Sequence, residues 1–516
     1  MKSTTLLFVA CLLGMQSVFA GGLLTNANQS AQYIRMLSRN ASTDLDAVYF
    51  NPAGVMEMQN GFHFGFHSQT LYQTRTITTT APLNNQEFIG ELEVPVFPSA
   101  FAVYKKDKLA FSLGFGPNAG GGSVVFDEGI PSFEGRIAQM ATGYGMLADV
   151  FSAASGGQIP GVTGYDSDIA FEGQSVFWGF QLGMSTKVNE MVSVYGGVRV
   201  LPSVNTYSGT IANIQAITAA GAMPASQYQG MVKPVLDGLI GTLNTTQNNL
   251  KTAIGVGALD GDAAIEDPQL LQVLGMLGSD ASTYGEAVGV LEATEGQLAQ
   301  LNNSNLLDQE LDTKQKGTGF TPIFGVNISP NDRLNIGAKY EFQTVLKLTN
   351  ETKVDDTGLF PDKAETRTDI PAILMVGLDY KLTSKLSSSV SFNNYFDKGV
   401  NWGRTMSGDE RVIEDNLWEV SLGVQYDFSD RFALSAGAMQ STTGVSEQYQ
   451  SDFSYSNSSN SFAAGLQWKA TKQLTLDAGV LYTTYTDEDK AFPTYTETYD
   501  KENIAIAIGL QYSLFK

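Results

Sequence analysis

Beyond residue 60 the chain alternates apolar and polar residues with a period of two, the spacing of a strand with two chemically different faces. Phe62, Phe64 and Phe66 share one face, and His63, Gly65, His67 and Gln69 share the other. Leu109, Phe111, Leu113 and Phe115 stand against Ala110, Ser112, Gly114 and Gly116. The pattern recurs through Trp178, Phe180 and Leu182, through Leu334, Ile336 and Tyr340, and on to Ile504, Ile506, Ile508 and Leu510. Such runs number about fourteen, an even count, as a closed single-chain barrel requires. The polar face is mostly Gly, Ser, Gln and Asn, which suits a lumen better than a dry core. Aromatic residues near run ends (Trp178, Tyr340, Tyr380, Trp418, Tyr426, Trp468, Tyr482, Tyr512) match the girdles at a membrane's two interfaces.

The connections between runs alternate in length. Short ones at 105–108, 186–190, 329–332, 383–385, 429–431 and 470–473 interleave with long ones at 79–96, 118–168, 209–316, 350–369, 397–410, 444–459 and 486–501. Short turns on one side and long loops on the other is the outer-membrane arrangement, with turns periplasmic and loops extracellular; a β-sandwich has no reason to sort its loops this way. The expected fold is therefore all-β: a transmembrane antiparallel barrel over residues 60–516, with an even strand count placing both ends in the periplasm. Loops 118–168 and 209–316 are the largest. In the second, Asp267 is a candidate N-cap and Pro268 suits the first helical position, and Leu270, Leu271, Leu274 and Leu277 follow at helical spacing. Val235, Leu236, Leu239, Ile240 and Leu243 repeat that spacing, as do Tyr284, Val288 and Leu291. Such helices either pack on one another as a lid or present an apolar groove that captures a greasy molecule.

Residues 1–20 read as a secretory signal, with Lys2 ahead of the apolar run from Leu6 to Leu13 and Val18, Phe19 and Ala20 before Gly21. The single cysteine, Cys11, lies in that leader, which leaves no thiol for a disulfide, metal site or nucleophile. Residues 21–59 lack sustained alternation and read as a short N-terminal hatch inside the barrel. At its centre Asn51, Pro52, Ala53 and Gly54 predict a turn, since Pro52 has no N–H to donate and Gly54 tolerates positive φ. The chain holds 31 basic and 53 acidic residues, a net charge of −22, which argues against a nucleic-acid partner. The acidity concentrates in the loops, where it serves solubility or binds divalent cations at a lipopolysaccharide surface. Its two histidines, His63 and His67, are four apart on one strand face, about 13 Å by strand rise, too far for one metal ion. No serine is evident as a partner for either, so no enzyme, cofactor or metal centre is expected.

The stretch Asn40 to Val55, NASTDLDAVYFNPAGV, between leader and first strand, resembles the FadL family of outer-membrane transporters for long-chain fatty acids and other hydrophobic compounds. Weaker echoes are Gly319-Phe320 with Pro322 and Gly325, Asp332-Arg333-Leu334 with Ile336-Gly337, and Ile370-Pro371. The resemblance implies a fourteen-stranded barrel blocked by the hatch, an extracellular capture groove, an inner site against the hatch, and lateral exit at a kink in the third strand. It places Asn51, Pro52, Ala53 and Gly54 beside the inner site and the kink at Phe115, Gly116, Pro117 and Gly120. Glycine and Pro117 sustain a poor ladder there, whether as a kink or as the strand's end. By alternation Arg199 and Lys339 face the lumen, where they either meet a ligand carboxylate or pair with a lumen acid such as Glu341. The expected function is passive uptake of a hydrophobic small molecule, fatty acid or aromatic hydrocarbon. The expected form is a monomer in the Gram-negative outer membrane, surrounded by lipid and lipopolysaccharide and inserted by the barrel-assembly machinery. A general diffusion porin and a structural or adhesive barrel are the alternatives.

Overall fold

A computed structural model describes residues 25–303, 307–402, 413–452 and 454–515. The expected leader (1–20), the first residues of the expected hatch (21–24) and part of the loop expected at 397–410 lie outside the described residues. The sheet is a closed antiparallel barrel of fourteen staves. They are β1 (Gly61–Thr79), β2 (Glu87–Lys106), β3 (Leu109–Phe126), β4 (Val162–Lys187), β5 (Val192–Thr218), β6 (Gln309–Asn331), β7 (Leu334–Glu341, resuming as Lys347–Asp355), β8 (Ile373–Lys381, led in by Glu365–Arg367), β9 (Leu386–Tyr395), β10 (Leu417–Asp427), β11 (Phe432–Thr442), β12 (Ser459–Lys469), β13 (Leu474–Tyr485) and β14 (Thr496–Phe515). The ring closes where β1 pairs with β14 from Gly61↔Phe515 to Thr79↔Glu497.

The two faces invert the pattern of a water-soluble protein. Outward residues are large and apolar and stay exposed, among them Phe66 at 55 % and Ile508 at 66 %. Inward residues such as His67, Gln69, Ser112, Gln181 and Arg199 are buried. Only a lipid solvent makes that arrangement favourable. Stacked rings mark the short-turn end, with Phe62 on Tyr104 at 4.4 Å and Phe432 between Phe428 and Trp468 at 5.8 and 6.0 Å.

Several strands run past the bounds that alternation suggests. β2 begins at Glu87, β3 continues to Phe126, β4 begins at Val162, β5 reaches Thr218 and β6 begins at Gln309. Outside a hydrocarbon layer no outward apolar residue is required, so these extensions carry no periodic signal while their backbones still pair.

Residues 132–169 and 210–309 form a second compact unit, mostly helical. It contains α1 (Ala225–Gly255), α2 (Pro268–Met276) and α3 (Tyr284–Asn302). The Asp267 carboxylate accepts from the N–H groups of Gln269 and Leu270, and Thr283 with Glu286 closes a capping box on α3. Val232, Leu236 and Leu243 of α1 and Leu291 and Leu298 of α3 are buried, so these faces are spent on packing within the unit. The first of the two readings for these helices, mutual packing, is the one observed.

Candidate functional site

The segment from residue 25 to 58 is almost wholly buried, and its fold is short and local. Ser30 accepts from the N–H of Tyr33 and opens the one-turn helix Ala31–Ile34. A second turn, Ala47–Phe50, runs through Asn51 into the 3-10 helix Pro52–Glu57. Arg39 holds both oxygens of Asp46 at 2.8 Å, and the Ser42 hydroxyl donates to the same carboxylate at 2.6 Å. Burial alone would push the Asp46 carboxyl up, but Arg39 and Ser42 hold it below the ordinary range. The expected turn at Asn51–Gly54 forms as the start of the 3-10 helix, and Gly54 does not need positive φ to make it. Its requirement is space: a Cβ there would lie 2.5 Å from the Ser42 carbonyl oxygen and 2.4 Å from Asn51 Nδ2.

Barrel side chains tie this segment down through its backbone carbonyls. Ser185 donates to Pro52 O at 2.7 Å, Ser193 to Ala53 O at 2.8 Å, Gln181 to Val48 O at 2.6 Å and Lys339 to Tyr49 O at 2.6 Å. Asn51 Nδ2 donates to Ser42 O at 3.0 Å and to Asn327 Oδ1 at 2.7 Å. His67 Nδ1 accepts weakly from Ala31 N–H at 3.4 Å, and His63 bridges Ser513 and Gln59 at 2.8 Å each. The two histidines thus make structural contacts at separate places.

Arg199 and Lys339 both face inward and both pair with Glu341, the second of the two fates open to them. Arg199 grips Glu341 with two nitrogens at 2.6 and 2.8 Å and donates to Gln181 at 2.7 Å, while Lys339 reaches Glu341 at 2.6 Å. Tyr49 covers them, its ring centroid 4.9 Å from the Arg199 guanidinium carbon and 4.3 Å from Lys339 Nζ. Burial and the Glu341 carboxylate push the Tyr49 phenol up, so it stays neutral. Two cations and one carboxylate leave this cluster with one net positive charge, screened little in so dry a place.

Beside the cluster, β3 loses its partner. The β2–β3 ladder runs from Lys106↔Leu109 to Ala100↔Phe115 and resumes only at Leu92↔Val124. Across the other edge β3 remains paired with β4, but with register shifts at Asn118 and Gly121. The segment is thus a kink within a continuing strand. Gly120 and Gly121 have φ of 65° and 145°, and a Cβ on Gly120 would lie 2.1 Å from Ser175 O. The Phe97 ring lies 2.2 Å from where a Gly121 Cβ would stand, so it fills the unpaired seam from β2. The freed carbonyls of Pro117 and Asn118 are met by the N-terminal segment: Gln29 Nε2 donates to the first at 2.6 Å and Asn26 N–H to the second at 2.7 Å.

A small cavity, with room for about one water molecule, lies here, lined by Gln29, Val48 and Tyr49 of the N-terminal segment, Phe101, Phe115, Gly116, Asn118, Gln181 and Arg199, among others. Its walls mix aromatic faces, amides and one cation committed to Glu341, and the cavity must widen to admit anything larger than water. Of the residues singled out from sequence, Phe115, Gly116 and Arg199 line it. Asn51, Pro52, Ala53, Gly54, Pro117 and Gly120 do not line it: the first four follow Val48 and Tyr49 along the chain, and Pro117 carries the carbonyl that Gln29 caps. Lys339 does not line the pocket but holds Tyr49, which does. Tyr49, Val48, Gln29 and Gln181 were not singled out; the inward phase of Gln181 and the closeness of Val48 and Tyr49 to Asn51 were the available signals.

Residues 245–514 match the family described as outer membrane protein transport protein (OMPP1/FadL/TodX). No curated protein sequence matches the chain significantly. The fold is similar to that of a FadL homologue from Pseudomonas aeruginosa, with TM-score 0.58 and 12 % identity over 95 % of this chain and 99 % of that one. It is also similar to the toluene transporter TodX of P. putida, with TM-score 0.52 and 13 % identity over 92 % and 95 %.

Proposed function

Because the chain belongs to the outer membrane transport proteins of the OMPP1/FadL/TodX family, we propose that it is a passive uptake channel for hydrophobic small molecules, with long-chain fatty acids as its cargo. The carrying observation is the pocket at which the N-terminal segment, the kinked β3 and Arg199 meet, beside a stretch of wall with no β2–β3 ladder. The long loops face outward and both chain ends face the periplasm. An apolar molecule enters the lumen from the loop end, binds against Tyr49 and Val48, and leaves sideways past Phe97 when residues 51–54 shift. It never crosses water again. The driving force is burial of its tail, about 0.8 kcal/mol per CH₂. The net positive charge beside the pocket favours a carboxylate over a neutral aromatic such as toluene, the molecule that TodX is named for. The barrel acts as a monomer in the outer membrane, amid lipid and lipopolysaccharide, after insertion by the barrel-assembly machinery.

Native mass spectrometry with lipid extraction on detergent-purified protein tests this reading against a deletion of residues 21–58. A co-purified amphiphile that is lost on deletion supports it. An empty wild-type barrel that passes a steady ion current in a planar bilayer would overturn it in favour of a diffusion porin.

A further inference from the structure

Among the described residues, two buried cations elsewhere in the lumen form no ion pair with any acid. Arg75 on β1 and Lys501 on β14 stand directly opposite each other where the barrel closes. They are only 1 % and 3 % exposed, and among the described residues neither makes an ion pair. Arg75 Nε donates to Gln73 at 3.0 Å, but its Nη2 is buried without a hydrogen-bond partner. Lys501 Nζ has one acceptor, the Tyr455 carbonyl at 3.0 Å. Like charges facing each other across a ladder repel, and burial makes each costlier. Aromatic rings offset part of that: Arg75 lies 5.4 Å from the Tyr455 ring centroid, and Lys501 lies 4.7 Å from that of Tyr455 and 5.1 Å from that of Tyr485. The adjacent acids Asp500 and Glu502 occupy the alternate, outward positions of β14. On the other side of Arg75 stands Gly90, which brings no side chain at all.

The geometry points to a second ligand station, in which Arg75 and Lys501 together hold the carboxylate of a single-chain amphiphile, with its tail against the Tyr455 and Tyr485 rings. A monoanion with two oxygens matches the two donors: one oxygen takes the free Nη2 of Arg75 and the other the Lys501 ammonium. The station is separate from the Arg199–Glu341–Lys339 cluster, whose cations already share a carboxylate. It lies four residues from the loop end of β1, so it would serve a ligand on its way toward the hatch. Tyr455 closes over it from the β11–β12 connection, tied by its hydroxyl to Asp500 O at 2.8 Å, and must move to admit one.

This station rests on the reading of the lumen as a route for hydrophobic molecules, and one titration separates the two. Decanoate, methyl decanoate and acetate are titrated calorimetrically into the full barrel in detergent, as wild type, R75Q, K501Q and R75K. Heat-modifiable migration confirms that each variant is folded, and K501Q carries the test if R75Q does not fold. The expected result is decanoate binding weakened about tenfold or more in R75Q and K501Q, largely kept in R75K, with the ester unaffected and acetate a poor competitor. Unchanged decanoate binding in both Gln variants, or acetate competing on equal terms, would overturn the station. If wild type binds neither decanoate nor its ester, the transport reading fails and takes the station with it.

Discussion

Lys339→Met isolates the hold of the barrel on the turn before Asn51. Lys339 Nζ donates to the Tyr49 carbonyl and to Glu341 at 2.6 Å each, and its side chain is fully buried. Methionine replaces the stem at similar volume but offers no donor. The Arg199–Glu341 pair stays intact and becomes neutral overall, so no buried charge is orphaned. What remains is a buried carbonyl without its charge-assisted partner, a loss of roughly 1–3 kcal/mol. Taking about 2 kcal/mol, the open population of the turn should rise about 30-fold. Hydrogen exchange read by mass spectrometry measures this directly: a peptide covering residues 47–54 should lose about 30-fold in protection while barrel strands keep theirs. Unchanged protection in that peptide would refute the tether. Equal loss across the strands would show that Lys339 supports the barrel rather than the turn.

Gly54→Ala places a Cβ against the Ser42 carbonyl and the Asn51 amide, so it should cost about 1–3 kcal/mol and raise bilayer conductance in an otherwise folded barrel; unaltered conductance with unaltered exchange would contradict it. Gly120→Val combines a left-handed backbone with a Cβ 2.1 Å from Ser175 O, so β3 must reseat and uptake of a fluorescent fatty acid should fall; normal uptake by a folded variant would refute a role for the kink. Asp46 has a folded pKa below its unfolded value, so its stabilisation of the N-terminal segment is present above the unfolded value and lost as pH falls through the folded one. Once the slower intrinsic exchange in acid is corrected for, the protection of residues 25–58 should therefore fall on acidification in wild type but hardly change in D46N, whose segment is already loosened; matching acid profiles would remove Asp46 from the account.

What the sequence made legible were the local and periodic features. The inward phase of Arg199 and Lys339 follows from alternation alone, as does the outward phase of Phe62, Phe64 and Phe66. The cap at Asp267 and the turn at Pro52 are short-range chemistry. What stayed hidden was non-local. Lys339 meets the Tyr49 carbonyl across 290 residues, and Asn51 meets Asn327 across 276. Neither distance carries a pattern that a single sequence displays. Arg75 and Lys501 become neighbours only because the register of β1 on β14 closes the ring. The seam between β2 and β3 was half legible. Glycines and Pro117 announced a weak ladder, but only the structure shows Phe97 filling the seam and Gln29 capping the freed carbonyl.

Lateral exit between β2 and β3 is the central claim, and a reversible lock across the seam tests it most directly. The only cysteine is Cys11, in the expected leader, so an introduced pair has a clean background. A Cβ at position 116 lies 3.1 Å from that of Ser99, closer than the roughly 3.5–4.5 Å of a disulfide, so the pair bridges after the two strands ease apart slightly. In the double variant S99C/G116C, oxidation should stop uptake of a fluorescent fatty acid and reduction should restore it, with the single variants indifferent to both. Uptake continuing at the wild-type rate through the oxidised barrel would contradict a sideways route.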